Sequence, residues 1–178
     1  VLLPLQFSGY YLFDDLVSFK SQYEYCSYVL EQIPKNIGIV VNTHPQHNTL
    51  SINAVKFLTK KYSNFIYNDS FNDVDASAQY ILPFIDGVIS VSSSTALQAL
   101  LFDKKIITLG KNCFNYISDS KKLSNIQQVL SEPTQNKNKY LYFVLTKYAI
   151  GEKYLYDSKW LNELLVKSLN KYKENNVK

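Results

Sequence analysis

The sequence predicts one α/β domain: a Rossmann-like parallel sheet with helices on both faces, followed by C-terminal helices. Three observations lead there. Short apolar runs alternate with helical patterns along most of the 178 residues. The runs are apolar at successive positions, as in strands covered on both faces. Helical stretches separate them, which is the connection that parallel neighbours require. With 46% hydrophobic residues the chain can bury one sizeable core, and two separate cores would be cramped.

Each element has its own justification. "VLLPLQ" at residues 1–6 reads as a buried strand, and Leu16, Phe19, Tyr23, Cys26, Leu30 and Ile33 then recur at helical steps. "IGIVVN" (37–42) is the second strand, followed by a helix with Ile52, Val55, Leu58 and Tyr62 on one side. "NFIYN" is a short third strand, and Asp73 or Asp75 is placed to cap a helix running to about Leu82. "GVISV", a helix opened by the hydroxyl turn Ser92 to Thr95, and "KIITLG" complete five strands. The polar stretch "SEPTQNKNK" (131–139) breaks the alternation. Beyond it come "YLYFVLTKYAI" and a longer helix opened by Asp157 and carrying Trp160, Leu161, Leu164, Leu165 and Leu169. The expected division is a Rossmann-like domain over 1–131 and a helical segment over 132–178 packed on it. The lysine- and asparagine-rich end is expected to fray. Because the chain opens directly on a buried strand and holds no methionine, it reads as a piece cut from a longer protein at a domain boundary.

Composition excludes several classes. The net charge of +4 is mild and the lysines are spread along the chain, so nothing demands nucleic acid or a membrane surface as partner. All 19 basic residues are lysines, so no guanidinium fork is available for a phosphate, which must be met by backbone N–H groups, hydroxyls, lysine or histidine. Cys26 and Cys113 stand in no metal-like spacing and suit two buried thiols in a reducing compartment, without a disulfide. No signal peptide is expected from this stretch, and no apolar run of about 18 residues is present in it to span a bilayer. Neither G-x-G-x-x-G nor a Walker loop occurs, and "SVSSSTA" lacks the glycines of a hydrolase elbow. No acidic cluster for magnesium stands at the carboxyl ends of the strands, which weighs against phosphoryl transfer.

Two constellations carry chemistry. In an open parallel sheet, ligands bind beyond the carboxyl ends of the strands, where helix starts offer amides to an anion. Ser92 to Thr95 occupy that place after the fourth strand, and small hydroxyl residues let a nucleotide phosphate come close. The bland alternative makes Thr95 the N-cap and Gln98 its partner in a capping box. The readings are compatible. The second constellation is "VVNTHPQHN" (40–48), where Pro45 biases His44 towards an extended conformation at the same edge. His44 there can donate to a phosphate or a sugar hydroxyl, or be an inconsequential surface histidine, as His47 is expected to be. With His47 three residues on and no third ligand of matching spacing, zinc is not expected. Asp14 and Asp15 follow the first strand and suit helix capping. Asp86 falls on the opposite edge.

Taken together, "VLLPLQ", the His-Pro after the second strand and "GVISVSSSTALQALLFDKKIITLG" resemble the bacterial capsule polysaccharide biosynthesis proteins, which include the Kdo transferases of capsule export. The likeness covers roughly residues 1–116. It implies one half of a GT-B glycosyltransferase, the half that holds the nucleotide-sugar donor, facing a missing N-terminal domain across a cleft. Carried over by position, His44, Ser93, Ser94 and Thr95 would contact the donor phosphate. Gln98 would stand where many relatives have a glutamate that meets the ribose, Gln6 would face the cleft, and Gly110 would pass close to the ligand with Lys111 or Tyr116 near it. The "LGKNCFNY" stretch departs from the family's fuller aromatic pattern, which leaves the sugar open. The donor implied first is CMP-Kdo, with a UDP-sugar or a CDP-alditol as alternatives, and a non-catalytic Rossmann-like binding module as the alternative outside the class. The acceptor would be a capsule or surface glycan or glycolipid. No cofactor, no metal and no nucleic acid are implied, and the catalytic base is expected on the opposing domain. The implied location is cytoplasmic, with peripheral association with the inner membrane left open.

Overall fold

The computed structural model describes residues 1–6, 13, 15–44, 47, 49–111, 113–148, 154 and 156–176. They fall into two compact units, 1–136 and 137–178. In the first, β1 (Leu2–Pro4), β2 (Ile39–Asn42), β3 (Phe65–Ile66), β4 (Gly87–Ser90) and β5 (Lys105–Thr108) form one all-parallel sheet in the order β3-β2-β1-β4-β5. Leu2 pairs with Val40 on one side and Val88 on the other. The order turns back at β1, so right-handed crossovers put the first two helices on one face and the later connections on the other. The Rossmann-like α/β class expected from the sequence is the class observed.

Alternation along the strands divides the core. Leu3, Leu5, Ile39, Val41, Ile89, Val91, Ile107 and Leu109 join one buried cluster with Tyr25, Cys26, Val29 and Leu30 of α1 (Gln22–Gln32). Leu2, Val88 and Ile106 are equally buried but lie outside that cluster, as side chains on the opposite face must. Burial pushes the Cys26 thiol up to about 12, which makes it an inert core group. The side chain of Cys113 lies outside the described residues.

Local capping corrects several expectations. Ser21 opens α1, its hydroxyl accepting from Glu24 N at 3.1 Å while the Glu24 carboxylate accepts from Lys20 N at 2.7 Å. Asp15 therefore does not open α1: it sits exposed in a turn well ahead of Ser21, and Asp14 lies outside the described residues. Leu16 and Phe19 pack on the core from ahead of the helix, and Tyr23 is turned outwards because the buried stripe runs through Gln22, Tyr25, Cys26 and Val29. In α2 (Ile52–Lys61), capped by Ser51, only Leu58 is buried; Ile52 is 71% exposed in the first turn. Neither Asp73 nor Asp75 caps α3 (Ser77–Ile81). Asn68 caps a 3-10 turn that ends at Asp73, and α3 begins after Ala76, whose left-handed backbone (φ 53°) redirects the chain.

The outer edge of β5 is closed by the segment that follows it. Asp119 N donates to Ile106 O at 2.7 Å, Asp119 Oδ2 accepts from Ile106 N at 2.8 Å, and Ser120 bridges Ile107 in parallel. The Lys105 ammonium lies 3.8 Å from Asp119 Oδ1, both side chains buried, and donates to Pro133 O at 2.8 Å. Thr134 Oγ1 donates to Asp103 O, so the chain stays tied to the sheet beyond α5 (Ile126–Ser131).

The second unit consists of α6 (Asn138–Phe143), which runs into a π-helical turn at Val144–Tyr148, and α7 (Ser158–Asn176). Asp157 opens α7 as expected, its carboxylate accepting from Trp160 N at 3.0 Å. The helix continues to Asn176, through most of the stretch expected to fray. Lysine and glutamate are good helix formers, and Glu163 precedes Lys167 by one favourable four-residue step.

Two substitutions test this arrangement. Gly110 has φ +80°, and a Cβ there would stand 2.3 Å from Leu16 O and 2.8 Å from Val17 Cγ1. Gly110→Ala is expected to lower stability by about 1–3 kcal/mol, read as a drop in urea midpoint. Asp119→Ala strands a buried ammonium and the Ile106 amide, and is expected to lose about 3–5 kcal/mol in the same measurement.

Candidate functional site

Because β1 lies between β2 and β4, the segments that leave the carboxyl ends of these three strands converge at the point where the strand order reverses. A cavity of about 180 Å³ opens there, and Gln6, Asn42, Thr43, His44, Ser77, Gln79, Ser93, Ser94, Thr95 and Gln98 provide its polar lining. Six of the residues singled out in the sequence thus meet at one place: Gln6 after β1, His44 after β2, and Ser93, Ser94, Thr95 and Gln98 after β4. Gly110 does not line it. The close approach that requires a glycine at 110 is to the Leu16 backbone and the Val17 side chain of the chain itself. Lys111 and Tyr116 are exposed and line no part of the cavity either.

The hydroxyl turn divides its labour. Ser90 Oγ, fully buried at the end of β4, accepts from Ser93 N at 3.0 Å. Ser93 Oγ accepts from Thr95 N at 3.3 Å and donates to Thr95 Oγ1 at 3.0 Å. The amides of Ala96, Leu97 and Gln98 are taken by the carbonyls of Ser93 and Ser94. The capping-box expectation is corrected by this geometry. The cap position of α4 (Thr95–Ala99) is Ser94, Thr95 is the first helical residue, and no side chain caps in the usual way because Ser90 and Ser93 already hold the turn. Ser93 donates to the Thr95 hydroxyl, which keeps its own proton as a donor and lines the cavity, and the exposed Ser94 offers a second hydroxyl at the rim.

The opposite wall was not anticipated. Asn42 Oδ1 accepts from Ser77 Oγ at 2.9 Å, and Asn42 Nδ2 donates to Thr43 O at 3.1 Å. Thr43 Oγ1 donates to Asn72 Oδ1, whose amide donates to Tyr67 OH at 3.2 Å. Gln6 N donates to Gln22 Oε1 at 3.0 Å, which fastens the end of β1 to the first turn of α1. The signal for Asn42 and Thr43 was in view, since they stand at the end of β2 directly before His44. Ser77 and Gln79 were hidden by the expectation of an aspartate-capped helix, which placed the start of α3 too early.

Electrostatically the described part of the lining is neutral: among the described residues it holds no lysine and no carboxylate, and His44 is the titratable group among them. Desolvation, helped by the neighbouring His47 with ring centroids 5.7 Å apart, holds the His44 imidazole below its usual range. Both causes favour the uncharged ring. Among the described residues, no group of three or more His, Cys, Asp or Glu side chains stands together to hold a metal ion.

A doubly wound α/β unit with a hydroxyl- and amide-lined cavity at its switch point is of the Rossmann-like class, in which that point is where ligands bind when they bind. The chain belongs to the capsule polysaccharide biosynthesis protein family, whose model matches residues 1–154. No curated protein and no solved structure gives a match to it.

The depressed imidazole has a consequence for pH. An anion in the cavity favours the protonated ring, so sulfate, whose charge is constant over this range, should bind more tightly as the pH falls below about 6.5, and His44→Ala should flatten that dependence in calorimetric titrations. Without ligand the sign reverses. A folded-state pKa below the unfolded one means stability that is full above about 6.5 and lost as the pH falls through the folded value.

Proposed function

We propose that this chain is the donor-binding half of a GT-B glycosyltransferase that moves a sugar from a nucleotide-sugar onto a bacterial capsule or surface glycan or glycolipid. The observation that carries the reading is the convergence of Gln6, His44, Ser93, Ser94, Thr95 and Gln98 on one cavity at the switch point. Membership of the capsule polysaccharide biosynthesis family supports the same role.

Transfer develops negative charge on the departing nucleotide phosphate, and donors already fixed in place stabilise it without reorganisation. Thr95, Ser94 and a protonated His44 are the groups for that task. Among the described residues the lining carries no carboxylate that would hold a divalent cation, which favours a metal-free step. Gln98 and Gln6 are the amides for the ribose or sugar hydroxyls, with Asn42 and Ser77 holding the wall behind them. A cavity of about 180 Å³ seats a phosphate with part of its ribose, whereas whole ligands of this size occupy roughly 300 Å³ or more. The remainder of the donor would be enclosed by an opposing domain, which would also bring the base that activates the acceptor. The donor assigned first is CMP-Kdo, ahead of a UDP-sugar or a CDP-alditol, and the place of action is the cytoplasm.

Calorimetric titration with CMP, CDP and UDP tests the reading. Saturable binding of one nucleotide is expected, weakened on the order of tenfold by His44→Ala and by Ser94→Ala, as for loss of a donor to a charged group. Binding of none of them, with the fold intact by circular dichroism, would leave a non-catalytic Rossmann-like module.

A further inference from the structure

Strand register sets Ile66, Val40, Leu2, Val88 and Ile106 in one row across the sheet, on the face away from α1. The row is not covered evenly. Leu2, Val88 and Ile106 are fully buried, whereas Val40 is part-buried and Ile66, at the β3 edge, is 46% exposed. Over this bare end the chain between β3 and β4 leaves a groove of about 520 Å³, in which Phe71, Val74, Tyr80 and Phe84 join Val40 and Ile66. Tyr80 is 67% and Phe84 88% exposed, so large apolar side chains stand in water around an apolar floor.

The groove is also acidic at its rim. From Tyr62 to Asp103 the chain holds no lysine and no histidine, while Asp69, Asp73, Asp75 and Asp86 stand exposed along the segment that builds the groove. A matching occupant brings an apolar stripe flanked by cations. Helix α7 has that pattern. Residues 137–178 hold nine lysines against four acidic residues, compared with ten against eleven in 1–136. On α7 the part-buried Leu161 and the more than half exposed Leu165, Leu169 and Tyr172 fall at i, i+4, i+8 and i+11, so they share one stripe. At 3.6 residues per turn, Lys171 flanks that stripe on one side and Lys159 and Lys173 on the other, whereas Glu163, Lys167 and Glu174 lie on the far side of the helix.

We propose that the groove of one copy receives the α7 stripe of a second copy, with Lys171 and Lys173 meeting the aspartates of the rim. Each chain carries one groove and one stripe, both exposed, so two copies pair through two equivalent contacts and close a symmetric dimer. The proposal does not depend on the donor-binding reading, and Tyr80 and Phe84 line the groove without lining the cavity.

Sedimentation velocity of the full chain over a concentration series tests it. A monomer–dimer equilibrium is expected, weakening as salt is raised. Tyr80→Glu with Phe84→Glu, and separately Leu165→Glu with Leu169→Glu, should each leave a monomer. Mixing these two variants should restore a dimer through the one contact still intact, the groove of one and the stripe of the other. Asp73→Lys with Asp75→Lys should weaken association on the order of tenfold or more, and adding Lys171→Glu with Lys173→Glu to the same chain should recover it. All the substituted side chains are exposed, so urea midpoints should stay at that of the parent chain. A chain that is monomeric throughout, a dimer that survives either apolar pair, or a mixture that stays monomeric overturns the proposal.

Discussion

The three-residue strand β1 is the constraint on which the rest depends. It is hydrogen-bonded to β2 on one side and β4 on the other, and Leu2, Leu3 and Leu5 are buried on alternate faces of it. If β1 were displaced, the two halves of the sheet would lose their common neighbour. The end of β1 also has to be held at a fixed height relative to its partners, because the cavity is defined by where three strands stop. Two bonds do this: Leu5 N donates to Asn42 O at 2.8 Å, and Gln6 N to the buried Gln22 side chain. Fold and site therefore share a single anchor.

The chemistry of the cavity follows from what the chain omits. Without arginine in the chain, and with no lysine among the described lining residues, the cavity offers hydroxyls, amides and one imidazole. Such a site is poorly suited to drawing anions in from a distance, since a neutral cavity has little long-range field. It is better suited to discrimination at close range. Oriented neutral donors reward a ligand that matches their directions, and those directions are fixed here by the Asn42–Ser77 and Thr43–Asn72–Tyr67 bonds.

Strand positions were legible in the sequence because each is a short apolar run set off by turn chemistry, and five such runs separated by helices leave little choice of class. The convergence of His44 with the serine turn was a conditional expectation, met because β1 pairs with both β2 and β4, a matter of strand order that local sequence does not encode. The misreadings share one cause. Asp15, Asp73, Asp75 and Thr95 are all good capping residues, but capping is decided by which side chain reaches the orphan amides first, and Ser21, Asn68, Ser90 and Ser93 were nearer. Tyr23 was misplaced for a related reason, since a helix that starts later rotates its buried stripe. The wall formed by Asn42, Thr43 and Ser77 was missed because polar residues flanking a histidine look like loop until something packs against them.

The closure of β5 by Asp119 and Ser120 bears on how the chain is made as well as on how it stands. Residues 118–120 leave the ribosome after all five strands, so a nascent chain whose sheet is already assembled carries the unpaired Ile106 amide and a row of free acceptors until they arrive. During that interval the outermost strand is a template for pairing with a neighbouring chain. The buried Lys105 deepens the dependence, because its ammonium finds Asp119 and the Pro133 carbonyl only once translation has passed them. The stretch from 118 to 134, almost devoid of regular strand, thus acts as the selvedge of the sheet, the last-woven border that keeps the cloth from being stitched to the next piece.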